Sequence, residues 1–140
     1  MIDNDPILPF RVLPEITIDT EFFWSAGADG VLKFLRCQDC GFYSHPPYPR
    51  CPECLSRSML PEGVSGRGVV HSFTINCQQW VRGTDPYAIV LVELEEQAGL
   101  RLTSNVVDVP IEEIEIGLQV QVEFLRVEDV WLPLFRRREG

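Results

Sequence analysis

Residues 37–54 read Cys37-Gln38-Asp39-Cys40-Gly41-Phe42-Tyr43-Ser44-His45-Pro46-Pro47-Tyr48-Pro49-Arg50-Cys51-Pro52-Glu53-Cys54, two CxxC pairs separated by ten residues. Each pair forms a tight turn that points two sulfurs and several backbone N–H groups at one centre. Two such turns supply the four thiolates that a structural Zn²⁺ prefers. Gly41 stands after the first pair, where a turn wants a positive φ, and Pro52 restricts the loop inside the second. The competing uses of these sulfurs are two disulfides, a redox CxxC and a rubredoxin-type iron centre. The N-terminus shows no basic region followed by an apolar run and a small-residue cleavage site, so the expected compartment is the reducing cytoplasm, which disfavours disulfides. A thioredoxin-like motif would use one pair on a βαβ pattern, whereas here two pairs flank a proline-rich segment. The reading is zinc, and a closed Cys₄ set leaves no open position for water or substrate, so the metal contributes folding energy.

Working outward, Val31 to Arg36 alternates as a strand leading into the first knuckle, and Arg57 to Pro61 reads as the strand leaving the second. They bound a zinc ribbon over residues 31–62. A unit of that size is too small to be held by core burial alone, and chelation should unfold it. Upstream, Pro6, Pro9 and Pro14 among isolated apolar residues suit an extended arm over 1–16. With Asp19 or Thr20 as N-cap, Glu21-Phe22-Phe23-Trp24-Ser25-Ala26 reads as a short helix stopped by Gly27 and Gly30, so that arm and helix occupy residues 1–30. Successive helical side chains point about 100° apart, so Phe22, Phe23 and Trp24 cannot all face one core. Part of this aromatic surface must find a second neighbour, either the zinc module or another protein chain.

Beyond Gly63 the period changes to two. Strands are expected over 66–77, 86–95, 100–107, 119–124 and 130–135, the last broken by Pro133, with Gly66 and Gly68 suggesting a bulge or coil near the start of the first. Pro110-Ile111-Glu112-Glu113 looks like one helical turn between the third and fourth strands. The fold class is therefore mainly β: an N-terminal arm and short helix, a Cys₄ zinc ribbon, then a five-stranded OB-fold barrel over about 63–136 within a domain 63–140 that ends in a basic tail. A small β-sandwich is the alternative.

Composition narrows the function. With 45% hydrophobic residues the chain is that of a folded globular protein, and its apolar runs are too short to span a bilayer. Asp and Glu number 21 against 12 Lys and Arg, a net charge of −9 that opposes binding of nucleic acid even though OB barrels stack single strands on aromatics. Candidates for catalysis are few. His45 beside the knuckle is read as exposed or outside the metal's ligands, His71 as a strand residue and Cys77 as a small apolar filler. The acidic clusters Glu93, Glu95, Glu96 and Glu112, Glu113, Glu115 read as solvated faces.

These residues carry a resemblance. Phe23-Trp24 with Gly30, Cys37-Gln38-Asp39-Cys40-Gly41, Pro46-Pro47, Cys51-Pro52-Glu53-Cys54, Ser65-Gly66-Arg67-Gly68-Val69-Val70, Pro86-Tyr87, Val92-Glu93-Leu94-Glu95, Gly117, Pro133 and Phe135 resemble the rubredoxin-like zinc ribbon plus OB-fold family of acyl-CoA metabolism, long catalogued as a domain of unknown function. The resemblance covers nearly the whole chain. It implies an accessory role: a non-catalytic subunit that stabilises a thiolase-fold enzyme, such as a lipid-transfer-type thiolase or aldolase that shortens steroid side chains, or an enoyl-CoA hydratase, and that helps guide the acyl-CoA thioester. His45-Pro46-Pro47-Tyr48-Pro49-Arg50 departs from a plain Pro-Pro-Arg, which leaves Arg50 without a carried-over role. Phe22, Phe23, Trp24, Trp80, Trp131 and Phe135 are the expected partner-interface residues, since interfaces concentrate aromatics. Arg67, Arg82, Arg136, Arg137 and Arg138 are candidate contacts for CoA phosphates. A stand-alone acyl-CoA-binding module is the second reading.

Overall fold

The computed structural model describes residues 1–139. Three strands build the zinc module: β1 (Lys33–Cys37), β2 (Tyr43–Ser44) and β3 (Met59–Gly63), in the order β2-β1-β3 and antiparallel throughout. Six more form the second sheet: β4 (Arg67–Asn76), β5 (Tyr87–Leu94), β6 (Arg101–Ser104), β7 (Val106–Val107), β8 (Gln119–Val127) and β9 (Val130–Arg137), in the order β6-β5-β4-β8-β9-β7. The ladder is not a continuous closed ring. Its two edge strands, β6 and β7, are halves of one segment interrupted at Asn105. The first half pairs antiparallel with β5 and the second parallel with β9, the pairing plan of an OB-fold. The predicted third strand is therefore split rather than continuous. The predicted helical turn is a 3₁₀ turn, Ile111–Glu113, lying between third and fourth strands as expected.

Of the bulge or coil expected of Gly66 and Gly68, the structure shows the coil. Gly66 takes φ +77° in the coil just before β4, and Gly68 lets the β5 backbone approach, whereas the register irregularity of β4 falls between Val70 and Ser72. Pro133 does not break the fifth strand either. β7 pairs with β9 only at Phe135 and Arg136, so Pro133 has a single neighbouring strand and its missing N–H removes no ladder bond on the open side.

The short helix α1 (Glu21–Ser25) tightens into a 3₁₀ turn (Ala26–Asp29) and stops at Gly30, φ +72°. Gly27 does not stop it. A Cβ there would lie 2.6 Å from Phe124 Cδ1 and 2.7 Å from Trp131 Cβ, so this glycine is what lets the turn lie on β8 and β9. One core runs through both modules, from Phe23, Leu32, Phe34 and Tyr43 to Val70, Val92, Val120 and Phe135. Of the arm, Ile2 bridges Leu125 in parallel and packs with Ile7 on a smaller cluster of Val107, Leu125 and Leu134.

Candidate metal centre and its surroundings

The metal ligands sit at the end of β1 and in two loops of one design. Cys37 closes β1, its carbonyl accepts from Gly41 N at 2.9 Å, and the Cys51 carbonyl accepts from Leu55 N at 2.9 Å. Cys40 N donates to Cys37 Sγ and Glu53 N to Cys51 Sγ, both at 3.4 Å. Cys37 and Cys54 sulfurs are 3.5 Å apart, as are those of Cys40 and Cys51, and all four lie within 4.8 Å of one another. A tetrahedron with Zn–S bonds of about 2.3 Å has edges of about 3.8 Å, so the donor set is close to the size that a single tetrahedral metal requires. The N–H of Cys40, joined by that of Asp39, outweighs burial and draws the Cys37 thiol down to about 6, so it is available as thiolate at neutral pH. Cys37 and Cys51 are buried and Cys40 and Cys54 exposed, which places the centre at the rim of the module.

The two knuckles differ at the residue that follows the second cysteine. Gly41 takes φ +80° after the first pair, and Leu55 takes φ +65° at the same place after the second, with 65% of its surface exposed. A side chain in the left-handed region costs about 1 kcal/mol. Leu55→Gly is expected to stabilise the metal-bound protein by up to about 1 kcal/mol in denaturant titration, since the side chain is mostly exposed and little packing is lost. A destabilisation would show that the Leu55 side chain holds the knuckle.

His45 is not an exposed neighbour of the knuckle as expected. Its ring stacks on Phe23 at 5.1 Å and meets Phe34 at 4.9 Å, and burial pushes its pKa down to about 4. Because the unfolded chain protonates near 6.5 and the folded one near 4, folding stability is full above pH 6.5 and falls as pH drops toward 4. The loss attributable to this ring is at most about 3 kcal/mol. His45→Phe is expected to remove that part of the slope between pH 6.5 and 4 in thermal melts, leaving the slope due to the metal ligands. An unchanged profile would place His45 in water.

Two amide side chains make long-range contacts that had no signal in the sequence, the first joining the two modules. Gln97, in the β5–β6 turn, accepts from Tyr43 N and donates to Tyr43 O, both at 2.9 Å, in the manner of a strand pair. Buried Asn105, at the seam between β6 and β7, donates to Ala88 O at 2.8 Å and accepts from Arg11 of the arm at 2.9 Å.

The aromatic set expected at an interface divides. Phe23, 4% exposed, and Phe135, 0%, are core residues, because α1 presses Phe23 onto the zinc module and β9 turns Phe135 into the barrel. That assignment is corrected for both. Trp24 meets Phe23 edge-on at 4.8 Å and is half-buried, as are Phe22 and Trp131, the latter beneath Arg126 at 5.4 Å. Trp80 is 78% exposed in the β4–β5 connection. The arginines do not form one cluster. Arg67 pairs with Glu95, Arg136 with Asp108 and Glu123, and Arg137 with Glu113, while Arg82 is exposed in the connection that carries Trp80 and Arg138 is half-buried. His71 and Cys77 are both exposed, so Cys77 is not the apolar filler expected of it. No helix of the described residues is long and apolar enough to cross a membrane.

A Cys₄ ribbon fused through a common core to an OB-type sheet defines a two-module protein with one candidate metal site. Family comparison places it further: residues 24–59 match the ChsH2 rubredoxin-like zinc ribbon domain and residues 62–125 the ChsH2 C-terminal OB-fold domain. The chain belongs to this ChsH2, or DUF35, family. It is similar to a solved structure described as "Ltp2-ChsH2(DUF35) aldolase", with TM-score 0.79 and 33% identity over 89% of this chain and 98% of that one. A DUF35 domain-containing scaffold protein of Methanocaldococcus jannaschii is 33% identical over 98 residues, covering 68% of each chain. The 3-oxo-4,17-pregnadiene-20-carboxyl-CoA hydratase alpha subunit of Mycobacterium tuberculosis is 34% identical over 136 residues, 94% of this chain and 42% of that one. This chain spans 40 to 42% of the length of the hydratase alpha subunits it matches.

Proposed function

We propose that this protein is a non-catalytic accessory subunit, holding one structural Zn²⁺, that binds and stabilises a thiolase-fold acyl-CoA enzyme in the cytoplasm. The observation that carries the reading is the match to 98% of a chain of the solved structure described as "Ltp2-ChsH2(DUF35) aldolase". The scaffold description of the archaeal relative supports it. The hydratase relative supports an enoyl-CoA hydratase as a further partner, and its steroid-type acyl-CoA supports steroid side-chain breakdown as the setting. In this arrangement the reacting groups belong to the partner. Phe22, Trp24, Trp80 and Trp131 contribute aromatic surface to the contact, and Arg82, exposed and outside the ion pairs, is the best placed of the five arginines to guide a CoA phosphate. Co-expression with thiolase-fold and hydratase subunits of the same source, followed by native mass measurement, tests this. The expected result is a fixed stoichiometry with the partner's melting temperature raised. A lone monomer that leaves both partners unchanged overturns it.

One observation favours the second reading, a stand-alone acyl-CoA-binding module. Two clefts of about 450 and 310 Å³ share Phe23, Trp24, Leu102 and Thr103 and are edged by Arg101 and Arg11. Such volumes suit a small apolar ligand. Calorimetry with acyl-CoA and this chain alone distinguishes the two: heat without the partner assigns the ligand here, and silence assigns it to the complex.

A further inference from the structure

The arm has two parts that behave differently. Residues up to Leu8 are tied to the barrel and to themselves: Ile2 N donates to Phe124 O at 2.8 Å, and Asp5 accepts from the amides of Ile7 and Leu8 and from the Arg11 side chain, which reaches on to Asn105. Residues 9–16 make no backbone hydrogen bond among the described residues, and 10–17 run without helix, turn or bend. At the far end the chain is fixed again, where Thr17 N donates to Thr20 Oγ1 and α1 begins. The extended stretch 10–16 is thus held at both ends with its backbone polar groups unpaired among the described residues. Its even positions, Phe10, Val12, Pro14 and Ile16, are all apolar, and three of them are exposed: Phe10 62%, Val12 93% and Ile16 41%. This is the period-two pattern of a strand whose sheet is missing.

We infer that residues 10–16 form a strand that adds to an open sheet edge of the partner subunit, with Phe10, Val12 and Ile16 packing on that sheet's apolar face. The inference rests on the accessory-subunit reading and adds the surface through which the partner is held. Alternate residues of an extended chain aim their N–H and C=O at opposite edges. Pro14 removes an N–H from the even edge, so the odd edge, with Arg11, Leu13 and Glu15, is the one free to pair. Glu15, Asp19 and Glu21 are exposed and make no ion pair among the described residues, so the stripe carries an acidic rim and fits an edge with basic neighbours. A second copy of this chain fits poorly. Of its edge strands, β3 has Pro61 at its centre and β2, β6 and β7 are no more than four residues long, its rim is acidic too, and each copy carries a net charge of −9.

The test uses the full chain and the purified thiolase-fold subunit identified by co-expression. On complex formation the amides of Arg11, Leu13 and Glu15 should exchange with deuterium more slowly. Val12→Asp and Ile16→Asp should each raise Kd by about 10- to 100-fold with unchanged melting of the isolated chain, since both side chains are exposed. Glu15→Pro should weaken binding about 10-fold where Glu15→Ala does not, because only the former removes an odd-edge N–H. A complex that forms with those amides still exchanging at their free rates, and with Kd unmoved by Val12→Asp, overturns the arm strand and leaves the accessory reading intact. Absence of any complex removes both. Protection of residues 10–16 in the isolated chain, rising with its own concentration, overturns the inference in favour of a second copy.

Discussion

Stripping the metal with a chelator is expected to lower the melting temperature by about 15 °C or more and to abolish the aromatic circular dichroism of the zinc module. Structural zinc supplies about 10 to 16 kcal/mol of apparent binding energy in small ribbons, and the loss of even a third of that corresponds to such a shift in a domain of this size. The reason lies in how little else holds the module. It has three strands of five, two and five residues, and both buried ligands, Cys37 and Cys51, are among its most enclosed side chains. The effect should not stop at the ribbon, because Leu32, Phe34 and Tyr43 belong to the same core as Val70 and Val92 of the barrel. Loosening the ribbon exposes that face of the sheet. Cys51→Ser should reproduce the result and bind no zinc in a mass measurement under native conditions. A chain shown to be metal-free that melts unchanged would mean that Gln97 and the shared core suffice to hold the module in place.

Gly68→Ala is expected to destabilise the protein by about 3 kcal/mol or more, enough to be seen as a large drop in the denaturant midpoint. A Cβ at Gly68 would lie 2.3 Å from the backbone oxygen of Glu93 and 2.9 Å from Val92 Cγ1. The first neighbour is main chain within the β4–β5 ladder, where Gly68 is opposite Leu94, so no rotamer change relieves the contact. Gly66→Ala offers a contrast that separates two causes. Its Cβ would lie 2.3 Å from Val122 Cγ1, a side-chain atom, and its φ of +77° is unfavourable for any side chain. Adding Val122→Ala should recover the steric part and leave about 1 kcal/mol of backbone strain. If Gly68→Ala melts like the parent protein, the close approach of β4 and β5 is not what this glycine is for.

Much of the architecture is legible in the sequence. The CxxC spacing identified the four ligands as one set because a tetrahedral metal centre imposes its geometry on local sequence, and period-two alternation located each barrel strand because a half-buried sheet sorts side chains by face. The resemblance supplied the family because it runs through nearly the whole chain: the ribbon, the Ser-Gly-Arg-Gly strand and the Pro133–Phe135 ending occur in one order. The misreadings share a cause. Phe23 and Phe135 look like interface aromatics in a list of large apolar residues, yet both are enclosed by elements distant in sequence. His45 looks exposed beside a knuckle until Phe23 and Phe34 are placed around it. Pro133 looks like a strand breaker unless the open side of β9 is known.

The sequence by itself determined what depends on near neighbours: the donor set, the knuckle turns, the strand periods and the order of modules. Tertiary structure alone decided what depends on distant ones. Asn105 as the hinge of the barrel seam, Gln97 as the link between the two modules, and the half of the arm left without a sheet are matters of hydrogen bonds between residues far apart in the chain. A backbone or amide group must find a partner when buried, but nothing in its own residue type or spacing says which of many distant groups that partner will be.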